Sequence, residues 1–212
     1  MGQGLKLAEL RRLARDNASV LAAKKRAFRR TPPSLRELVF CLLTPQSSMK
    51  KCKDAVRALE KEGLLARGGT KEISRCLRGR TRFHNNKARW LFEARKKFDA
   101  RALARIKGSH AKREWLVANI KGIGYKEASH FLRNTGRLDV AIIDRHVIHV
   151  LGAQGCRVPK TITNKEYLRL EREVVKIASR LGLEPGILDL LLFVVDAEKN
   201  PVKRAALLRE LR

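Results

Sequence analysis

The sequence predicts an all-α protein, and three observations carry that prediction. Apolar residues recur at the helical period along the whole chain. Helix starts and stops punctuate it, as serine or threonine caps, prolines and glycines. Only one stretch beyond Gly136, "RLDVAIID", reads as extended, and nothing alternates with it as a partner strand.

Taken in order, Leu10, Leu13, Asn17 and Val20 or Leu21 fall on one side of a single basic first helix, which "KKRAFRRTPP" ends at two prolines. Ser34 with Glu37 forms a capping box before the mostly buried "LRELVFCLL". "TPQSS" breaks the chain ahead of "MKKCKDAVRALEKEG", where Gly63 is the stop. Thr70 caps "KEISRCLRG". Ala88, Leu91, Phe92 and Arg95 make one stripe of "NNKARWLFEARKKF", and "HAKREWLVANI" leads into a glycine-containing turn. Thr163 with Glu166 caps "EYLRLEREVVKIASRLG", and Pro185 precedes the strongly apolar "GILDLLLFVVDAEKN". Pro201 opens the last helix, "PVKRAALLREL". The pattern amounts to roughly ten helices, with no repeat and no low-complexity segment.

Charge narrows the function. The chain has 212 residues, enough for one large domain or two small ones, and 44% of them are apolar, so it can build a core. Its 48 lysines and arginines against 21 acidic residues leave a net charge of +27. Such a charge repels itself and is best tolerated by a chain whose partner is a polyanion, above all nucleic acid. The longest apolar run, Leu190–Val195, is far too short to span a membrane. The N-terminal stretch has no signal-peptide core, and Lys6 stands where a myristoylation motif needs Ser or Thr. A soluble, cytoplasmic protein is expected. Cys41, Cys52, Cys76 and Cys156 form no CxxC pair and no metal-ligand spacing, so they read as reduced thiols, and no metal is expected.

The stretch "ANIKGIGYKEASHFL" reads as helix, tight hairpin, helix. Gly122 and Gly124 are free to adopt backbone angles closed to other residues. The second helix then starts with N–H groups to which a phosphate oxygen has unobstructed access. Such a hairpin grips a backbone without reading bases, although glycines used only for packing look the same. Lys126 lies two residues past Gly124, and Asp144 follows three apolar residues in "VAIIDRHVIHV". Taken singly, these are a solvated lysine and a helix N-cap. Taken together, an amine and a carboxylate are what amine-nucleophile chemistry requires. The amine attacks as the neutral base, so partial burial among cations such as Lys121, Arg133 and Arg145 is expected to favour it.

At these residues the chain resembles the helix-hairpin-helix DNA glycosylases, and within them the archaeal-type (second-type) 8-oxoguanine DNA glycosylase/AP lyases. "IKGIGYKEASHFLRNTG" and "LDVAIIDRHV" carry the resemblance most specifically, supported by "LLTPQSS" and "RFHNNKARWL". It runs from about residue 35 to the C-terminus. The resemblance implies a flipped oxidised guanine in duplex DNA. Lys126 matches the lysine that attacks the sugar's anomeric carbon, forms a Schiff base and nicks the strand by β-elimination. Asp144 matches the aspartate that stabilises charge on the sugar and helps activate the amine. No cofactor is implied.

Gln46, Arg82 and Asn85 or Asn86 match segments that fill the gap left by the flipped base, though Gln46 reads equally as a helix-start residue and the asparagines as caps. Phe83 either stacks on a base or belongs to the core, and His130, one turn from Lys126, lines the pocket or packs. The family's chain terminus reaches the base pocket and usually ends in lysine; here it ends in Arg212, which keeps the charge in a planar, differently bonding form. Endonuclease III relatives carry a C-terminal four-cysteine cluster, whereas this C-terminal half has only Cys156. Monofunctional members lack the lysine. The implied architecture is two helical domains, 31–135 and 1–30 with 136–212, facing a DNA cleft. A monomer that associates with the nucleoid when bound to DNA is expected. Two other readings stand beside this one: a glycosylase for oxidised pyrimidines, and a non-catalytic helix-hairpin-helix module.

Overall fold

The computed structural model describes residues 7–198 and 200–210. The fold is all-α: the described residues form thirteen helices and no strand. Two compact units emerge, one being Pro33–Phe131 and the other the described residues up to Pro32 and from Leu132 onward.

In the unit 33–131, α3 (Leu35–Leu43) is the central element, with seven of its nine residues buried. Ser34 begins it as expected, its hydroxyl accepting the Glu37 N–H at 3.3 Å. Against it pack α4 (Met49–Lys61) and α6 (His84–Lys97), and α5 (Thr70–Leu77) packs on both of these. Thr70 is not the cap of α5 but its first residue; Gly69 is the N-cap, and the Glu72 carboxylate reaches back to the Gly69 N–H at 2.6 Å. After α6 comes a helix the periodicity missed, α7 (Ala100–Arg105). Six residues are too few to show a period, and the cue was Asp99, whose side chain caps it. The buried Lys112 amine then donates to the Leu103 and Ala104 carbonyls at its C-terminal end. Helix α8 (Ser109–Asn119) leads to a hairpin and α9 (Tyr125–Asn134), within which the unit ends.

In the other unit the expected single first helix is two, α1 (Leu7–Asp16) and α2 (Ala18–Arg30). The break is at buried Asn17, whose side-chain amide donates to the Leu13 carbonyl at 2.9 Å and so competes with the helix ladder. The unit's other helices are α10 (Arg145–Ala153), α11 (Asn164–Leu181), α12 (Pro185–Ala197) and α13 (Pro201–Glu210). Helix α12 is its core, with nine of thirteen residues buried, and α1, α2, α10, α11 and α13 all pack on it.

The extended stretch before α10 pairs with no strand. Its backbone donors go to side chains instead: Ala141 N–H to Glu171 at 3.0 Å, Ile142 N–H to Asp189 at 2.8 Å and Ile143 N–H to the Tyr167 hydroxyl at 3.1 Å. Tyr167 in turn donates to the Ala141 carbonyl at 2.9 Å. Three buried polar residues of α11 and α12 thus do the work of a neighbouring strand.

Candidate functional site

The hairpin spans 120–124 between α8 and α9. Ile120 and Ile123 are buried on either side of it, which anchors the turn in the core of its unit. Gly122 has φ +87, and a Cβ there would fall 2.5 Å from the Trp90 ring. Only glycine meets both conditions. Gly124 does not need that freedom, because its φ is not positive; it precedes α9 and its carbonyl accepts the Ala128 N–H at 2.9 Å. Its own N–H donates to Glu127 Oε2 at 3.3 Å, so a phosphate at this helix start must displace a carboxylate. Two polar contacts tie the flanking helices: the Tyr125 hydroxyl donates to Glu114 at 2.6 Å, and Arg113 to the Ser129 hydroxyl at 3.1 Å.

Lys126 stands in the first turn of α9 with its side chain 35% exposed, its amine 3.1 Å from Glu127 Oε1. Of the cations expected around it, one is already engaged. Arg133 is buried and committed to Asp189 at 2.7 Å, so its charge is already matched. Within its own unit Lys87 is a cation that interacts with Lys126. Burial holds the Lys87 amine below the ordinary lysine value, the Cys52 thiol acts the other way, and the charge of Lys126 lowers it further.

Two turns of the same unit carry Gln46, Arg82 and Phe83. Gln46 and Phe83 are the described non-glycine residues with positive φ, at 54° and 56°. Both are exposed, Phe83 by 50%, so Phe83 is not core. Left-handed backbone at such residues costs on the order of 1 kcal/mol each and persists only where the surroundings enforce it. The Arg82 N–H donates to Ser47 Oγ at 3.1 Å, which joins the two turns, and its guanidinium lies 5.5 Å from the Phe83 ring centre. Asn85 and Asn86 lie on α6 itself rather than capping it: Asn85 accepts from Ser74, and Asn86 from Arg89 at 2.8 Å. His130 is buried against Phe40, ring centres 5.6 Å apart, in the interior of this unit. Arg212 lies outside the described residues.

Asp144, in the other unit, is the N-cap of α10. Its Oδ1 accepts the His146 and Val147 N–H groups, both at 2.9 Å, while Oδ2 has no hydrogen-bond partner among the described residues. One oxygen is thus spent on structure and the other is available for chemistry. The approach to this cap is rigid, since residues 141–143 are pinned by Glu171, Asp189 and Tyr167. Gly186 allows the same segment to press on α12: its N–H donates to the Leu138 carbonyl at 2.9 Å, and a Cβ would lie 3.0 Å from the Val140 carbonyl oxygen. No group of His, Cys, Asp and Glu among the described residues could hold a metal ion.

Several of these residues escaped sequence reading. Lys87 was one lysine in a run of polar residues, Glu171 was one of several charged residues of an amphipathic helix, and Asp189 was a single acid within an apolar one. For Asp189 the signal was present: a carboxylate inside "GILDLLLFVV" needs a buried partner.

A DNA glycosylase of the helix-hairpin-helix type is the class that the all-α fold, the hairpin and the lysine just beyond it define. The family model described as 8-oxoguanine DNA glycosylase matches residues 24–183, and the chain belongs to that family. It is 41% identical over 167 residues to the 8-oxoguanine DNA glycosylase/AP lyase of Saccharolobus solfataricus, covering 74% of this chain and 79% of the relative. It is 38% identical over 171 residues to that of Fusobacterium nucleatum, covering 76% and 78%. The 8-oxoguanine DNA glycosylase of Thermotoga maritima superposes with a TM-score of 0.80 at 32% identity, over 89% of this chain and 94% of that one. The Methanocaldococcus jannaschii 8-oxoguanine glycosylase/lyase, solved with a 15mer DNA containing 8-oxoguanine, gives 0.81 at 28% identity over 90% and 96%.

Proposed function

We propose that this chain excises 8-oxoguanine from duplex DNA and cuts the strand at the resulting site, in base excision repair. Family membership supports the reaction. The observation that carries the residue assignment is Lys126 in the first turn of α9, held two residues past a hairpin that only glycine can form at Gly122.

Lys126 Nζ attacks C1′ of the damaged nucleotide. The C1′–N bond to the base breaks, and its electron pair leaves with the base, which takes up a proton. Loss of the amine proton and opening of the sugar ring give a Schiff base between Nζ and C1′. Removal of a C2′ proton then expels the 3′ phosphate by β-elimination. Asp144 Oδ2 stabilises the positive charge that builds on the sugar and takes part in freeing the amine of its proton. The hairpin N–H groups around Gly122 and Gly124 hold a backbone phosphate, and the +27 charge draws in the duplex. Gln46 and Asn85 or Asn86 occupy the gap beside the extruded base, Arg82 contacts the DNA in the same segment, and the exposed Phe83 stacks on a base. Arg212 and His130 are assigned to the base pocket on the family resemblance. None of the described helices is long and apolar enough to cross a membrane. We place the protein in the cytoplasm, on the nucleoid when bound to DNA, acting as a monomer.

The test is a panel of duplexes carrying single 8-oxoguanine, oxidised-pyrimidine or undamaged sites. Release of 8-oxoguanine with strand cleavage is expected. Preference for oxidised pyrimidines would reassign the substrate, and salt-sensitive binding without turnover on any duplex would make the chain a binding module.

A further inference from the structure

We propose that Lys87 is a positioning residue that locks the turn bearing Gln46 to the turn bearing Phe83, so that base extrusion depends on a lysine that never meets the DNA. The inference rests on the glycosylase reading above. The Lys87 side chain is fully buried, and its amine donates to the Leu43 carbonyl at 2.7 Å, the Pro45 carbonyl at 2.8 Å and Ser47 Oγ at 3.0 Å. Ser47 Oγ also accepts the Arg82 N–H, 3.1 Å away in the second turn. One ammonium therefore uses all three of its donors to hold residues 43–47, and the shared hydroxyl extends that hold to residue 82.

What the brace holds is informative. Both exposed left-handed residues lie next to it: Gln46 sits between the acceptors on Pro45 and Ser47, and Phe83 follows Arg82. Lys87 itself lies on α6, and its backbone N–H bonds to the Phe83 carbonyl at 3.0 Å. Strained, exposed residues have no neighbours of their own to enforce their backbone, so the enforcement comes from beneath. A lysine serving only to close the C-terminus of α3 would need the Leu43 carbonyl alone. Reaching Pro45 and Ser47 as well fixes the direction in which Gln46 points. The link to function is that an element inserted into a duplex must be rigid before it arrives, since rigidity gained on binding subtracts from the energy available to unstack a base.

The test compares two rates for Lys87→Met, which keeps the length and loses the donors. One is single-turnover excision of 8-oxoguanine from duplex DNA, which requires extrusion. The other is borohydride trapping on a single-stranded abasic site, which does not. The duplex rate should fall at least about tenfold relative to the trapping rate, because the reacting groups are present but the wedge is misdirected. Ser47→Ala, which removes only the bridging hydroxyl, should move the ratio in the same direction by a smaller factor, and it serves if Lys87→Met does not fold. Equal losses on both substrates in Ser47→Ala or a folded Lys87→Met, or an unchanged ratio, overturn the proposal and leave Lys87 a helix-end clamp. Failure of the glycosylase reading itself would be distinguishable, because the unsubstituted chain would then release no base.

Discussion

The indole of Trp90 fills the space that a side chain on Gly122 would need, its ring carbons 2.5 Å from where a Cβ would stand. Trp90 lies on α6 and Gly122 in the hairpin, so the hairpin turn is seated against the helix that follows the Phe83 turn. Gly122→Ala must either push the indole away or abandon φ +87. A cost of about 1–3 kcal/mol is expected, read as a lowered midpoint in thermal or urea unfolding. Where the variant stays folded, its affinity for undamaged duplex should fall, and the slope of that affinity against salt should become shallower as a phosphate contact is lost.

The cap that Asp144 forms and the catalytic role proposed for it can be separated by substitution. Asp144→Asn keeps an oxygen for the His146 and Val147 N–H groups and should unfold close to the unsubstituted protein, while losing most base excision. Asp144→Ala should lose the cap as well, at about 1 kcal/mol. Undiminished excision by the asparagine variant would leave Asp144 a cap only.

The Arg133–Asp189 pair is sealed from water, both side chains at most 5% exposed. Burial pushes the Asp189 carboxyl up to about 6 from an ordinary 3.8, although the Arg133 guanidinium and the Ile142 N–H pull it down. A raised carboxyl value means that the folded chain holds this proton more tightly than the unfolded chain. The stability it contributes is therefore full below pH 3.8 and lost as pH rises to about 6. The unfolding free energy of the unsubstituted protein, minus that of Asp189→Asn, should decline across this window and level off above it. Arg133→Met, which leaves a buried carboxylate without its partner, should cost roughly 3–5 kcal/mol at neutral pH.

Thiol chemistry tests the absence of a cysteine function. Cys41, Cys52 and Cys76 are buried, and burial raises the Cys52 and Cys76 thiols to about 11. At neutral pH a thiol reagent should label Cys156 alone in the native protein and all four cysteines once it is unfolded. Rapid native labelling of Cys52 would show that its unit opens near Lys87.

The helical fold was legible because long amphipathic segments and their caps are local: Ser34, Gly63 and Thr163 stand where the helices begin or end. Helix α7 was too short to show a period, and the split at Asn17 depends on a side-chain bond to Leu13 that no spacing rule signals. Of the candidate residues, the hairpin and Lys126 were visible because Gly-x-Gly between two helices, which alone can serve packing, stands in a chain of charge +27 with Asp144 eighteen residues beyond the lysine. Arg133 was misjudged as a free cation of the site for a physical reason. Sequence proximity suggested Arg133, whose charge is matched by Asp189 fifty-six residues away, and concealed Lys87, whose amine is brought under Pro45 and Ser47 by tertiary packing alone.

In the proposed reaction Lys126 is the nucleophile. Borohydride trapping on 8-oxoguanine duplex, followed by digestion and mass mapping, tests it most directly. One covalent adduct is expected, on the peptide that contains Lys126, and none with Lys126→Gln. An adduct on a different lysine, or a Lys126→Gln variant that still cuts abasic DNA at the normal rate, would contradict it.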